Sequence, residues 1–333
     1  MEFREFQFGI YVPKNSPVCL NASIFTYSMA SLVSVIMSTP RPKAGLLCRG
    51  YGRGPGCCAL LAGVTLLMWL TLCASPPDDQ LDWLRHDRNA SHYVRPRAPT
   101  ALLDSAACSD DVRLLLAVAS SQGGGERRQA VRDTWGRARP DSRLIFMMGH
   151  NGSSRLSPEL TREAAQHGDI VVEDFVDNYH NLTLKTLFML KWAASRCAPA
   201  LHIMKTGDDV LVNVQHVLEE TEARRPVEGP LLLGTVGDRR PQRCPCSRRH
   251  LPQWLYPGDV LPAFLSGTGY LMSRPAVMVL LRRTADVPLI NLEDVYVTGL
   301  LASRTPAIPL LTAATVHVDR PLLASAAGWL RGW

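Results

Sequence analysis

The sequence predicts an α/β domain, a mostly parallel sheet flanked by helices, behind an N-terminal membrane anchor. Three observations carry that expectation. From Val112 onward, short apolar runs alternate with segments of helical spacing, the order that builds parallel sheets covered on both faces. Cys57 to Ala74 reads CCALLAGVTLLMWLTLCA, with no charge, and is long enough to cross a bilayer core. Two adjacent carboxylates, Asp208 and Asp209, lie between the apolar runs 200–204 and 210–212, where a buried strand should end. Sites in such sheets gather at strand carboxyl ends.

The elements follow in order. Residues 113–119 form a short apolar run bounded by polar residues, a buried strand, broken by Gly123-Gly124-Gly125. Residues 126–135 read as a helix, 144–148 as a second buried strand, and Pro158 to His167 as a helix. Ile170-Val171-Val172 is a strand. Residues 182–197 carry Leu184, Leu187, Phe188 and Leu190 close to helical spacing. A strand then runs up to Asp208, and a helix spans 214–224. No internal repeat or long low-complexity tract interrupts the order.

The ends read differently. Arg41, Lys43, Arg49 and Arg53 precede the apolar segment, and Asp78, Asp79 and Asp82 follow it. The positive-inside rule therefore puts the N-terminus in the cytosol and the bulk of the chain in the lumen. The expected layout is a cytoplasmic leader at 1–56, a signal-anchor helix at 57–74, a polar stem at 75–107 and the folded domain at 108–333. Residues 1–36 read as an upstream extension, because Met37 opens a compact basic-then-apolar leader. Cleavage after Ala74 is the rival reading, but the run exceeds an ordinary signal core. A second span over 24–37 is an alternative weakened by its Ser and Thr.

A lumenal body predicts glycan acceptors, and the triplets starting at Asn89, Asn151 and Asn181 qualify. It also predicts paired cysteines. Cys108, Cys197, Cys244 and Cys246 allow three pairings, among which sequence does not choose. Cys244-Pro245-Cys246 lacks the second Cys or His cluster that zinc requires. The formal charge of +6 rests visibly on the leader and on 239–249, without interleaved stacking aromatics, which argues against nucleic acid as a partner.

From the residues alone, Asp208 and Asp209 are hard oxygen ligands suited to Mg²⁺ or Mn²⁺ and, through it, to a diphosphate. A solvated acidic turn is the bland reading. Six segments in series weigh against it: residues 127–136 (RRQAVRDTWG), 167–170 (HGDI), 177–186 (DNYHNLTLKT), 205–210 (KTGDDV), 266–270 (SGTGY) and 293–299 (EDVYVTG). In this order and spacing they resemble the β-1,3-galactosyltransferase and β-1,3-N-acetylglucosaminyltransferase family, from about Val112 to the C-terminus.

The resemblance implies a GT-A-type fold, a single-pass type II protein of the Golgi membrane, a UDP-sugar donor, a glycan acceptor on protein or lipid, and Mn²⁺ or Mg²⁺. It makes Asp294 the base that takes the acceptor hydroxyl proton, in an inverting transfer that needs only one such group. It makes Asp209 a metal ligand and His317 a ligand to metal or diphosphate. Asp208, Arg128, Arg132 and Lys205 become nucleotide contacts, and Gly267 and Gly269 mark where backbone approaches the sugar. The residues on their own admit plainer roles. Glu293 and Asp294 cap a helix starting near Val295, His317 is structural, the arginines line a solvated helix face, and the glycines are turn glycines.

The chain departs from the pattern in three places. Gly207 stands where the family has a third acid, Leu265 stands where many relatives have Cys, and the segment from Gly299 to His317 is short. Leu265 implies that a family disulfide is absent, while Gly207 and the short C-terminal segment favour one rival, an inactive lumenal homologue that binds a glycan or a partner on the same fold.

Overall fold

The computed structural model describes residues 81–319, apart from 82, 96–97, 154, 225–228, 246, 305 and 313–317. The leader, the anchor segment and His317 lie outside the described residues. Among the described residues, 81–243 and 249–319 form one compact unit, to which 244–248 do not belong. Among the described residues, no helix is long and apolar enough to cross a membrane.

The stretch expected to be a stem is in part folded. Helices α1 (Trp83–His86) and α2 (Ala90–Val94) precede strand β1 (Ala101–Leu103). Leu84 and Ala90 are fully buried, with Leu81 and Val94 nearly so. Polar and proline residues dominate the composition here, but these four apolar positions bury into the domain core. Arg88 fastens the segment by donating to the Leu289 and Leu255 carbonyls at 2.9 and 3.1 Å.

Strand β2 (Leu114–Ala119), helix α3 (Gly125–Asp133), strand β3 (Ser142–His150), helix α4 (Pro158–His167) and strand β4 (Ile170–Val176) follow the expected alternation. The bounds of α4 match the sequence expectation because both ends are signalled locally. Ser157 caps the first turn, Pro158 occupies its start, and Gly168 ends the helix at φ 64°. After a 3₁₀ turn at Tyr179–Asn181 come α5 (Leu182–Arg196), β5 (His202–Gly207), β6 (Leu211–Val212), α6 (Val214–Glu222), β7 (Leu232–Val236), β8 (Leu265–Ser273) and α7 (Arg274–Arg283). A π-helix spans Val295–Leu301, and β9 (Leu310–Thr312) and β10 (Val318–Asp319) close the described chain.

Eight strands form one sheet in the order β1-β4-β3-β2-β5-β8-β7-β9. β4, β3, β2 and β5 are parallel, whereas β8 runs antiparallel to β5 and to β7. β10 pairs with β6 in a separate two-stranded sheet. Successive side chains alternate faces. Leu115, Ala117, Ile145, Met147 and Ile203 pack with α5 in the main core. On the other face, Leu114, Leu116 and Met204 meet Val214 and Val217 of α6, while Val118, Phe146 and Met148 meet Val131 of α3 and Leu160 of α4. Both faces are covered, which is why these strands are nearly all apolar. Cys108 and Cys197 are disulfide-bonded, selecting their pairing among the three possible, and Cys244 is also disulfide-bonded.

Candidate active site

β2 and β5 are neighbours with Ala119 opposite Gly207, so their carboxyl ends deliver Ser120 and Asp208 side by side. The Asp208 amide donates to the Ala119 carbonyl at 3.0 Å, extending the ladder by one bond. The Ser120 hydroxyl donates to Asp208 Oδ2 at 2.7 Å, and Arg127 Nε lies 2.9 Å from Oδ1. The carboxylate also abuts the start of α3. A Cβ on Gly124 would come 2.8 Å from Asp208 Oδ2, so glycine is what permits the approach, and the positive helix end favours the charge.

Asp209 is exposed. Its carboxylate turns back over Gly207, where a Cβ would meet Oδ1 at 2.7 Å. Asp208 and Asp209 therefore differ: one is tied into the strand ends, the other is presented to solvent.

Asp294 reaches the same end of the sheet through β8. Thr206 pairs with Gly269 across the β5–β8 ladder, and two residues earlier the Gly267 amide donates to Asp294 Oδ2 at 3.2 Å. Asp294 Oδ1 accepts from the Val295 amide at 2.9 Å, so the helix-cap reading of this residue holds as a structural fact. Its side chain is 16% exposed, with Arg249 3.7 Å from Oδ2. Glu293 is buried, paired with Lys205. Burial raises its pKa, and the Asp294 charge adds to the rise, against the lowering effect of Lys205 and the hydroxyl of Tyr270.

A third charged pair lies behind Ser120. Lys185 is 2.8 Å from Asp177 and donates to the Ser120 carbonyl at 2.6 Å. Burial lowers its pKa against the attraction of Asp177 and Asp208.

With this geometry in view, comparison with known proteins decides the family. A family model described as Galactosyltransferase matches residues 126–308, over half of the chain. The chain belongs to the galactosyltransferase family. Human N-acetyllactosaminide beta-1,3-N-acetylglucosaminyltransferase 4 is 34% identical over 245 residues, covering 72% of this chain and 62% of that protein. Beta-1,3-galactosyltransferase 1 of Mus musculus is 34% identical over 193 residues, covering 55% and 58%. Beta-1,3-galactosyltransferase 5 of Pan paniscus is 36% identical over 199 residues, covering 57% and 64%. The chain thus spans about three fifths of the length of these relatives. Among solved structures, the apo WbbM bifunctional glycosyltransferase aligns with a TM-score of 0.28 and 12% identity, over 56% of this chain and 35% of that one. That is too slight a likeness to bear on the fold.

Within the galactosyltransferase match, several expected nucleotide contacts are engaged elsewhere. Arg128 is 1% exposed and grips Glu163 with two bonds of 2.8 and 2.6 Å, while its third nitrogen donates to Ser120 and Ser121. Arg132 forks onto Asp169 with two bonds of 2.8 Å and also meets Glu163 at 2.9 Å. These two arginines fasten α3 to α4 and to the start of β4; they do not line an open solvated face. Lys205 is buried in an ion pair with Glu293. Gly269 is buried in the ladder.

Sequence reasoning had not singled out Arg127, Ser120, Tyr270 or Arg249. Ser120 was findable, because it follows a buried strand at its carboxyl end. The partners of Arg127, Tyr270 and Arg249 lie tens of residues away in sequence and left no local signal.

The acceptor triplets also separate. Asn151 and Ser153 are exposed in a loop. Asn89 caps α2 and is half-buried. Asn181 is buried and its amide donates to the Val176 carbonyl at 2.8 Å. Asn181 is thus the least accessible of the three acceptors, with one of its two amide N–H groups donated to Val176.

The metal expectation meets a sparse donor set. Among the described residues, no three His, Cys, Asp or Glu side chains converge as metal ligands. A Mg²⁺ or Mn²⁺ held by one protein carboxylate and completed by phosphate oxygens and water needs no such cluster. Asp209, an exposed residue, could supply that carboxylate by turning off Gly207, whereas Asp208 already accepts from Ser120 and is paired with Arg127.

Proposed function

We propose that this chain is a β-1,3-glycosyltransferase of GT-A type. It transfers galactose or N-acetylglucosamine with inversion from a UDP-sugar to a glycan hydroxyl, as a single-pass type II protein of the Golgi membrane. One observation carries the reading. The strand pair β5–β8 brings the Asp208-Asp209 end and Asp294 to one end of the sheet, inside the segment matched by the family.

The nucleotide is the leaving group, so the protein has one proton to remove. Asp294 is held by two backbone amides and retains partial exposure, which suits it to accept the acceptor hydroxyl proton. Arg249 sits beside it, 3.7 Å from Oδ2. Asp209 would hold Mn²⁺ or Mg²⁺, which when bound neutralises charge on the departing diphosphate. Asp208, locked by Ser120 and Arg127, shapes the floor beneath the nucleotide.

The test uses the full-length protein. Thermal stability is measured with UDP, with and without Mn²⁺, and then transfer from UDP-galactose and UDP-N-acetylglucosamine. A metal-dependent rise of about 2.7 kcal/mol at a hundredfold excess of ligand over Kd is expected. Asp294→Asn should lower kcat by about 10²–10⁴ while UDP binding persists. UDP binding without turnover would replace this reading with the inactive lumenal binding module. Full turnover by a folded Asp294→Asn variant would remove Asp294 as base.

A further inference from the structure

Lys205 and Tyr270 are directly opposed on β5 and β8, so both side chains leave the same face of the sheet. Glu293 enters between them. Its Oε2 accepts from Lys205 Nζ at 2.6 Å and its Oε1 accepts from the Tyr270 hydroxyl. All three side chains are buried. A buried ion pair is weak evidence for stability, since apolar residues of similar volume often serve as well. Its geometric effect is the informative part, and it falls on the next residue in the chain, Asp294.

The connection runs through Gly267. Lys205 donates to the Gly267 carbonyl at 3.0 Å, and the Gly267 amide donates to Asp294 Oδ2 at 3.2 Å. A Cβ at this position would lie 3.3 Å from both Asp294 Oδ2 and Glu293 Oε2, so the two acids pass closely over a residue that carries no side chain. The Asp294 carbonyl accepts from Thr298 Oγ1 at 2.6 Å, and the Leu265 amide donates to that hydroxyl at 2.8 Å. The Asp294 carboxylate is thus tied to β8 directly through Gly267, and its carbonyl indirectly through Thr298.

We propose that Lys205 and Tyr270 are positioning residues, which act through Glu293 and Gly267 to aim the Asp294 carboxylate and touch no ligand themselves. The proposal deepens the reading of Asp294 as the base and rests on it.

The test compares the full-length protein with Tyr270→Phe, which removes one hydroxyl, and Glu293→Gln, which keeps shape and removes charge. The Gly267 and Val295 amides both donate to Asp294, so their hydrogen exchange reports its placement without any turnover. Exchange at these amides should rise about tenfold while β2 stays protected. kcat should fall about tenfold with UDP affinity held within about twofold. Unchanged exchange together with unchanged kcat would overturn the proposal. So would a loss of UDP affinity of about tenfold or more, which would put the cluster in the nucleotide site. If the wild type transfers no sugar, the proposed function fails, and the two amides alone decide the positioning role.

Discussion

The carboxylate of Asp209 occupies the space beside Gly207 that any other residue's Cβ would need, with Oδ1 2.7 Å from that point. Gly207 is the position at which the resemblance implies a third acid. Its backbone is not left-handed, as it is at Gly152 and Gly168. Nothing in the main chain therefore requires glycine there, and the obstacle is the far end of a flexible side chain.

Gly207→Ala should accordingly fold, and it should turn the Asp209 carboxylate outward. Less unfolded-state freedom raises stability by about 0.4–1 kcal/mol, read as a Tm increase of about 1–3 °C. Mn²⁺-dependent UDP binding should tighten by about threefold, because the carboxylate no longer has to swing out before binding. A loss of metal-dependent binding in the folded variant would mean that the folded-back position is the binding position.

Arg127 and Arg128 are adjacent, yet their removal should act on different properties. Arg128 is buried with Glu163 as its ion-pair partner, and Arg128→Ala removes the fork while Arg132 stays 2.9 Å from the same carboxylate, at a cost of about 1–3 kcal/mol. Lysine cannot reproduce the fork, so Arg128→Lys should recover little. Arg127 is 41% exposed at its ion pair with Asp208, and Arg127→Ala should cost no more than about 1 kcal/mol. Denaturant melts of the three variants separate these outcomes. Equal losses for Arg127→Ala and Arg128→Ala would contradict the division of roles.

In a secretory host, Asn151 should carry a glycan and Asn181 should not. Mass loss on enzymatic deglycosylation should vanish in part with Asn151→Gln and be untouched by Asn181→Gln. Occupancy at Asn181 would contradict the low access of this side chain, which is 8% exposed and donates to the Val176 carbonyl.

The parts of this fold legible in sequence are those with local causes. α4 was bounded correctly by a serine cap, a proline and a glycine, and β2 and β5 by short apolar runs. α7 was missed although Ser273-Arg274-Pro275 carries the same cap-and-proline signal. β1 was missed because three residues inside a polar stretch become a strand only when β4 is beside them. At the site, Asp208, Asp209 and Asp294 were legible as acids at strand or helix ends. What each acid bonds to was not: the Arg127–Asp208 and Lys205–Glu293 pairs join residues 81 and 88 positions apart, and only the sheet order brings them together.

That same edge strand sets the last expectation. Glu173 on β4 lies opposite Ala101 of β1 and is buried, accepting from Thr100 Oγ1 at 2.6 Å. Burial raises its pKa above the ordinary glutamate value of 4.5, with Asp104 and Asp174 adding to the rise, and the Thr100 bond and Lys191 only partly opposing it. The unfolded chain therefore gives up this proton more readily than the folded one. The stability contributed by the protonated side chain is present below pH 4.5 and is lost as pH rises through the higher folded value. At neutral pH the ionised side chain weighs against the fold. Glu173→Gln keeps an acceptor for Thr100 and removes the charge, and Lys191 still donates to the Val94 and Ala98 carbonyls at 2.9 and 2.8 Å. The variant should melt above the wild type at pH 7, with the gap closing as pH falls toward 4. A gap of constant size across that range would show that the gain came from packing and not from ionisation.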